Sequence, residues 1–172
     1  MPVLAEVNWQ GRLRQVVMVG NRNGFFYVLD RVTGELLLGK PFTATSWARE
    51  LDADGRPIVL NNGSQGCVPD PWGSTNFMPP TFFPERDLFI LTARETCATY
   101  VPEEPTDATG QSNFGGTVLI DAEQGRGALR ALDIHTGNLV WEFSYPSPTF
   151  GGVLSTASGL VFAGDHEGNF MA

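Results

Sequence analysis

Two copies of one turn, Asp-x-x-Thr-Gly, constrain this chain more than any other feature. Asp30-Arg31-Val32-Thr33-Gly34 follows the aromatic and β-branched run Phe25–Leu29, and Asp133-Ile134-His135-Thr136-Gly137 follows Ala128–Leu132. An Asp opening such a turn can accept hydrogen bonds from backbone N–H groups two or three residues on, while the closing Gly takes a left-handed conformation. Each copy is therefore a strand, a tight turn and a returning strand. Part of the pattern recurs near the C-terminus, where Gly164, Gly168 and Phe170 repeat the spacing of Gly20, Gly24 and Phe26. Strand–turn–strand units built on one repeated turn are the mark of a radial or solenoid β array.

The rest of the chain supports an all-β reading. Pro2–Val7 and Arg14–Val19 are expected strands around a turn at Asn8–Arg12, and Pro41–Ser46 is a further candidate. Leu51–Pro57 is an Asp-Gly turn, and Leu88–Ala93 reads as a buried strand. Gly127–Asp133 with Leu139–Phe143 forms a hairpin, and Val153–Thr156 and Leu160–Gly164 follow a tight crossing at Pro146–Gly152. Asn61–Pro80 is too rich in Gly, Pro and Asn for a helix and too rich in Trp, Phe and Met for a disordered linker. A long ordered loop on a β scaffold is where function tends to sit. Tyr100–Gly116 reads as a second, polar and exposed loop.

The 172 residues would hold about two to three blades of four-stranded antiparallel sheet, whereas a closed propeller needs at least about four. Ala172 falls where Val28 falls in the first copy, before the turn that should follow. The expectation is a single incomplete β-propeller spanning residues 1–172, a piece of a longer protein.

A net charge of −8 and a pI near 4.6 give none of the basic footprint of a nucleic-acid binder. No window approaches the roughly 18 apolar residues of a membrane span. The first residues of the sequence show no charged-then-apolar export pattern, and if the whole protein is exported its signal is expected upstream of Met1. Cys67 and Cys97 lack zinc or redox spacing. In a reducing compartment they read as buried thiols, and in an exported protein as a disulfide contributing about 3 kcal/mol on the chain-entropy view.

The string Ala131-x-Asp133-x-x-Thr136-Gly137-x-x-x-Trp141 resembles the tryptophan-docking motif of the quinoprotein alcohol dehydrogenases. Asn21–Arg31, Gly73-Ser74-Thr75-Asn76 and Gly151–Thr156 resemble the same family in the order it uses them, so that the likeness covers essentially the whole chain. The resemblance implies an eight-bladed propeller that binds pyrroloquinoline quinone (PQQ) and usually Ca2+. It would oxidise a primary alcohol, or a similar alcohol or sugar, by hydride transfer to the quinone. It further implies a periplasmic location and an electron acceptor such as a cytochrome c or a quinone. The catalytic base and the calcium ligands of that family lie upstream of the matching region, so that neither role falls on a residue of this chain and the chain alone is expected to be inactive.

Three cofactor contacts carry across. Arg22 takes the place of a basic residue beside the quinone oxygens, where a fixed guanidinium stabilises developing negative charge. The alternative is a turn arginine facing solvent. Asn76 corresponds to an amide donor to those oxygens, against ordinary turn chemistry for Asn. Phe150 stands where the family often has Trp, keeping an apolar wall without the indole N–H. The resemblance also pairs Cys67 with Cys97 as a disulfide. It gives Asp30, Gly34, Asp133, Thr136, Gly137 and Trp141 a structural role in docking adjacent blades, with Leu38 replacing the Trp of the first copy. His135 and His166 read as solvent-facing turn residues, and Asp52, Asp54, Glu103, Glu104 and Asp107 as solvated loop carboxylates. The competing reading is a non-catalytic propeller scaffold, which needs the docking turns but has no use for Arg22 or for Gly73–Asn76 in an aromatic loop.

Overall fold

The computed structural model describes residues 1–60, 65–66, 69–102 and 116–172. Antiparallel strands form all of its sheets. Sheet I is four-stranded, in the order β1 (Pro2–Trp9), β2 (Arg12–Gly20), β3 (Phe25–Asp30) and β4 (Leu36–Pro41). A small hairpin follows, β5 (Ala48–Leu51) with β6 (Pro57–Val59). Sheet II contains β7 (Gln65–Gly66), β8 (Thr81–Phe83), β9 (Leu88–Pro102), β10 (Gly116–Asp133) and β11 (Leu139–Tyr145). Sheet III has three strands, β12 (Val153–Ser155), β13 (Val161–Gly164) and β14 (Phe170–Met171).

The predicted turns form as the sequence dictates. Asp30 Oδ1 accepts from the N–H groups of Val32 and Thr33 at 2.9 and 3.0 Å, and Gly34 closes the turn with φ +79°. Asp133 Oδ1 accepts from the N–H groups of His135 and Thr136 and from the Thr136 hydroxyl at 3.0, 2.7 and 2.8 Å, with Gly137 at φ +69°.

Sheet II is covered on both faces, and the period-2 alternation of a strand divides its side chains between two cores. Phe89, Leu91 and Ala93 of β9, with Leu132 of β10, pack against Val16, Met18, Phe26 and Val28 of sheet I. Leu88 and Ile90, with Leu129 and Ala131, pack instead against Val153 and Ala163 of sheet III. This explains why Leu88–Leu91 is continuously apolar: both faces of the strand are buried. Phe26 and Phe89 stack with ring centroids 4.8 Å apart across the first core. Three sheets thus stack face to face, as blades do.

Several expectations are corrected. Pro41–Ser46 is not a strand: β4 ends at Pro41, one more bond in the same register runs from the Phe42 N–H to Gly24 O at 2.9 Å, and the chain bends at Phe42 and Thr43. Tyr100–Pro102 belongs to β9 rather than to a loop, because Gly116, Thr117 and Val118 of β10 pair with those residues. A short 3-10 turn at Pro84–Arg86, ending at a left-handed Asp87 (φ 52°), joins β8 to β9. Cys67, and with it the Cys67–Cys97 pairing, lies outside the described residues, as do Glu103, Glu104 and Asp107.

Candidate functional site

Arg22 lies in the turn between β2 and β3, and its guanidinium donates to Pro71 O. The backbone contact is closer still. Ser74 N–H donates to Arg22 O at 3.0 Å, and a Cβ on Gly73 would stand 2.6 Å from Arg22 Cβ. The loop that receives Arg22 begins at Asp70, whose carboxylate accepts from the N–H groups of Trp72 and Gly73, both at 2.9 Å. Asn76 lies in the same loop and donates its amide to Trp72 O at 3.0 Å. Phe150 arrives from the crossing between β11 and β12. Its ring stacks on Phe77 at 5.9 Å with an interplanar angle of 1° and meets Trp72 edge-on at 6.2 Å. Arg22 and Phe150 therefore both contact the segment from Pro71 to Phe77, in which Asn76 itself lies.

A residue that the sequence reading passed over ties this segment to sheet II. Arg94 of β9 is buried and pairs with the equally buried Asp70, both N–O separations being 3.4 Å. It also donates from its side chain to Gly73 O at 3.0 Å and from its backbone N–H to Ser74 O at 2.7 Å. The guanidinium carbon lies 4.2 Å from the centroid of the Phe150 ring, a cation–π geometry. One signal in the sequence could have found it. Extending the alternation Leu88, Ile90, Thr92 by one more step puts a charged residue on a core-facing position, and a charge there needs a partner. The strand was instead expected to end at Ala93.

Arg94, Trp72, Phe77 and Phe150 line an open cleft of about 890 Å3 together with Thr96 and His166. Trp72 and Phe77 are 53% and 64% exposed, large rings left facing solvent. Arg94 Nε and Thr96 Oγ1 are buried and make no hydrogen bond among the described residues. His166 is exposed, as expected, but its ring also packs 5.5 Å from that of Phe150. His135 departs from expectation: it is partly buried, bonds Asp87 through Nε2 at 3.1 Å and packs on Trp9 at 5.1 Å, joining sheets I and II.

Of the three residues picked for the cofactor, Phe150 lines this cleft, while Arg22 and Asn76 contact or belong to the Pro71–Phe77 loop without lining it; the remaining sequence-picked residues lie elsewhere. Leu38 of sheet I abuts the Gly137 turn of sheet II, where a Cβ would lie 3.3 Å from Leu38 Cδ2. Trp141 is partly buried against the second core and lines a separate apolar groove with Phe83, Leu160 and Met171. Asp30, though its side chain meets Arg14 at 3.1 Å, is held below the usual carboxylate range mainly by the Thr33 and Val32 N–H groups. Burial works against ionisation of Asp133, and its bonds to Thr136 and His135 outweigh that and lower its pKa. Asp165 is lowered as well, first by the Asn169 side chain. Among the described residues, no group of three or more His, Cys, Asp and Glu could hold a metal ion, and no helix is long and apolar enough to cross a membrane.

Known proteins match both this sequence and this arrangement of sheets. A quinohemoprotein alcohol dehydrogenase, ADH-IIG of Pseudomonas putida, is 35% identical over 99% of the chain. A lanthanide-dependent methanol dehydrogenase of Methylacidiphilum fumariolicum is 31% identical over the same share. The chain belongs with the quinoprotein alcohol dehydrogenases. It spans 27% and 30% of the length of those two relatives. Solved structures agree: ADHIIG from P. putida HK5 superposes with a TM-score of 0.88 at 32% identity, covering 99% of this chain and 28% of that one. A europium-containing methanol dehydrogenase superposes with a TM-score of 0.84 at 28% identity, covering 99% of this chain and 34% of that one. No family profile matches the chain. The three stacked sheets thus have the architecture of part of a quinoprotein dehydrogenase propeller.

Proposed function

We propose that this chain is a mid-to-late segment of the propeller of a periplasmic, PQQ-dependent dehydrogenase acting on a primary alcohol or a similar alcohol or sugar, and that Arg22, Asn76 and Phe150 face its quinone. The observation that carries the reading is a convergence: Arg22 and Phe150, distant in sequence and each picked for a cofactor contact, both touch the segment from Pro71 to Phe77, in which the third such residue, Asn76, lies.

The residues suit the group. A planar aromatic quinone with carboxylate and carbonyl oxygens calls for flat apolar walls, a cation and amide donors. Phe150, Phe77 and Trp72 offer the walls beside an open cleft, and Arg22 keeps further N–H donors after its bond to Pro71 O. Asn76 uses one amide bond on Trp72 O, leaving a second N–H and its carbonyl oxygen. Buried donors without a described partner, Arg94 Nε and Thr96 Oγ1, line the same cleft.

When bound, PQQ supplies the two-electron acceptor that alcohol oxidation needs. The part played by this chain is to bind and orient. Arg22, anchored through its backbone on Ser74, presents a permanent positive charge where negative charge develops, an arrangement that needs little reorganisation during reaction. Asn76 adds a neutral donor fixed by its own loop, and Phe150 excludes water from one side. The acid–base step and any metal are assigned to no residue here. Electrons would leave to a cytochrome c or a quinone.

The test is a titration of the full-length apoprotein with PQQ, followed by absorbance and by quenching of tryptophan emission, together with alcohol-dependent dye reduction. Saturable binding with turnover is expected. A protein that folds but binds no quinone would return the chain to the scaffold reading.

A further inference from the structure

We propose that Arg94 is a positioning residue of the quinone site, holding the segment Pro71–Phe77 and the Phe150 ring in one fixed relation. The inference rests on the quinone reading above and goes beyond it, because Arg94 was not among the residues picked for a cofactor contact.

Its bonds reach three separate points of the loop: the Asp70 carboxylate at 3.4 Å, Gly73 O at 3.0 Å and, through its own backbone, Ser74 O at 2.7 Å. Two of those residues also meet Arg22: Ser74 N–H donates to Arg22 O, and Gly73 rests against its Cα and Cβ. The Arg94 guanidinium lies 4.2 Å from the Phe150 ring centroid. A planar fork can bond a loop through its edge and support a ring with its face at once; a lysine ammonium has neither the fork nor the plane. A buried ion pair is weak evidence for stability, since an apolar pair of similar volume often replaces it at no loss. What an apolar pair would not reproduce is direction. Without the bonds to Asp70 and Gly73 the loop keeps its packing and loses its register against Arg22 and Phe150.

The experiment compares the full-length protein with R94K and with the double variant Arg94→Met, Asp70→Asn, in which the Asn carbonyl oxygen can still accept from the Trp72 and Gly73 N–H groups. The double variant leaves no orphaned charge and keeps the proposal testable if a single substitution misfolds. Two quantities are read in each apoprotein: hydrogen exchange at the Trp72, Gly73 and Ser74 amides, and the dissociation constant for PQQ. About tenfold faster exchange at those amides is expected, with strands β2 and β3 unchanged, and about tenfold weaker quinone binding in both variants, the double variant retaining the parent melting temperature to within a few degrees. PQQ binding within twofold of the parent in either folded variant would overturn the assignment, as would unaltered loop exchange. Failure of the parent itself to bind PQQ is a different result: it removes the quinone reading, and this inference falls with it.

Discussion

Gly73 and Arg22 touch backbone to backbone: a Cβ on Gly73 would lie 2.6 Å from Arg22 Cβ and 2.9 Å from both its Cα and its carbonyl oxygen, and Gly73 also has φ +80°. No flexible side-chain tip can yield there. Gly73→Ala is expected to cost about 2 kcal/mol or more in denaturant unfolding, from the left-handed backbone and the overlap together. Arg22 would be displaced in consequence, so that quinone affinity should fall with stability. A variant as stable as the parent would show that the two backbones are not in contact.

Arg22→Ala in the full-length protein removes the one cation carried by the β2–β3 turn, beside the Pro71–Phe77 loop. Quinone-dependent dye reduction should fall by at least about tenfold, the loss of one charge-assisted contact. The side chain is exposed, so that the melting temperature should hardly move. Unchanged rates would take Arg22 out of the site.

Acid should weaken the fold through its turns. Asp30, Asp133 and Asp165 all have lowered folded-state pKa values, from bonds to backbone N–H groups and polar side chains. A carboxylate depressed in the folded state contributes stability that is present above its unfolded pKa, near 3.9, and is lost as the pH falls through the folded value. Urea unfolding should therefore show a nearly level stability between pH 5 and 7 from these groups and a decline below about pH 4. Asp133→Asn should flatten part of that decline, and an unaltered profile would show that the turn carboxylate carries no such linkage.

Phe89 has no exposed surface and stacks on Phe26 between sheets I and II. Phe89→Ala should cost about 3–5 kcal/mol by chemical denaturation, the range for truncating a buried aromatic. A loss below about 1 kcal/mol would mean that the two sheets are not held together by this core.

The strands and turns were legible because their causes are local. Asp30 reaches the N–H groups of Val32 and Thr33 with no help from elsewhere in the chain, and Gly34 supplies its own backbone conformation. The all-β reading and the choice of Arg22, Asn76 and Phe150 for one site followed from such strings and from the resemblance they carried. Pro41–Ser46 misled because β-compatible residues were read as a separate strand, whereas Pro41 closes β4 and the pairing with β3 runs out at the bond from Phe42 to Gly24.

What the amino-acid order determined by itself is therefore the turn chemistry, the strand alternation and the kind of protein this is. Tertiary structure alone decided who meets whom. Asp70 and Arg94 stand 24 positions apart, and Asp87 and His135 stand 48 apart. Alternation along a strand says which face a side chain takes, but the partner on that face depends on how whole sheets stack, and burial then makes the pairing of a charge obligatory. Arg94 fell one residue past the expected end of its strand, and its contacts with Asp70, Gly73 and the Phe150 ring arise only where sheet II lies beneath the loop.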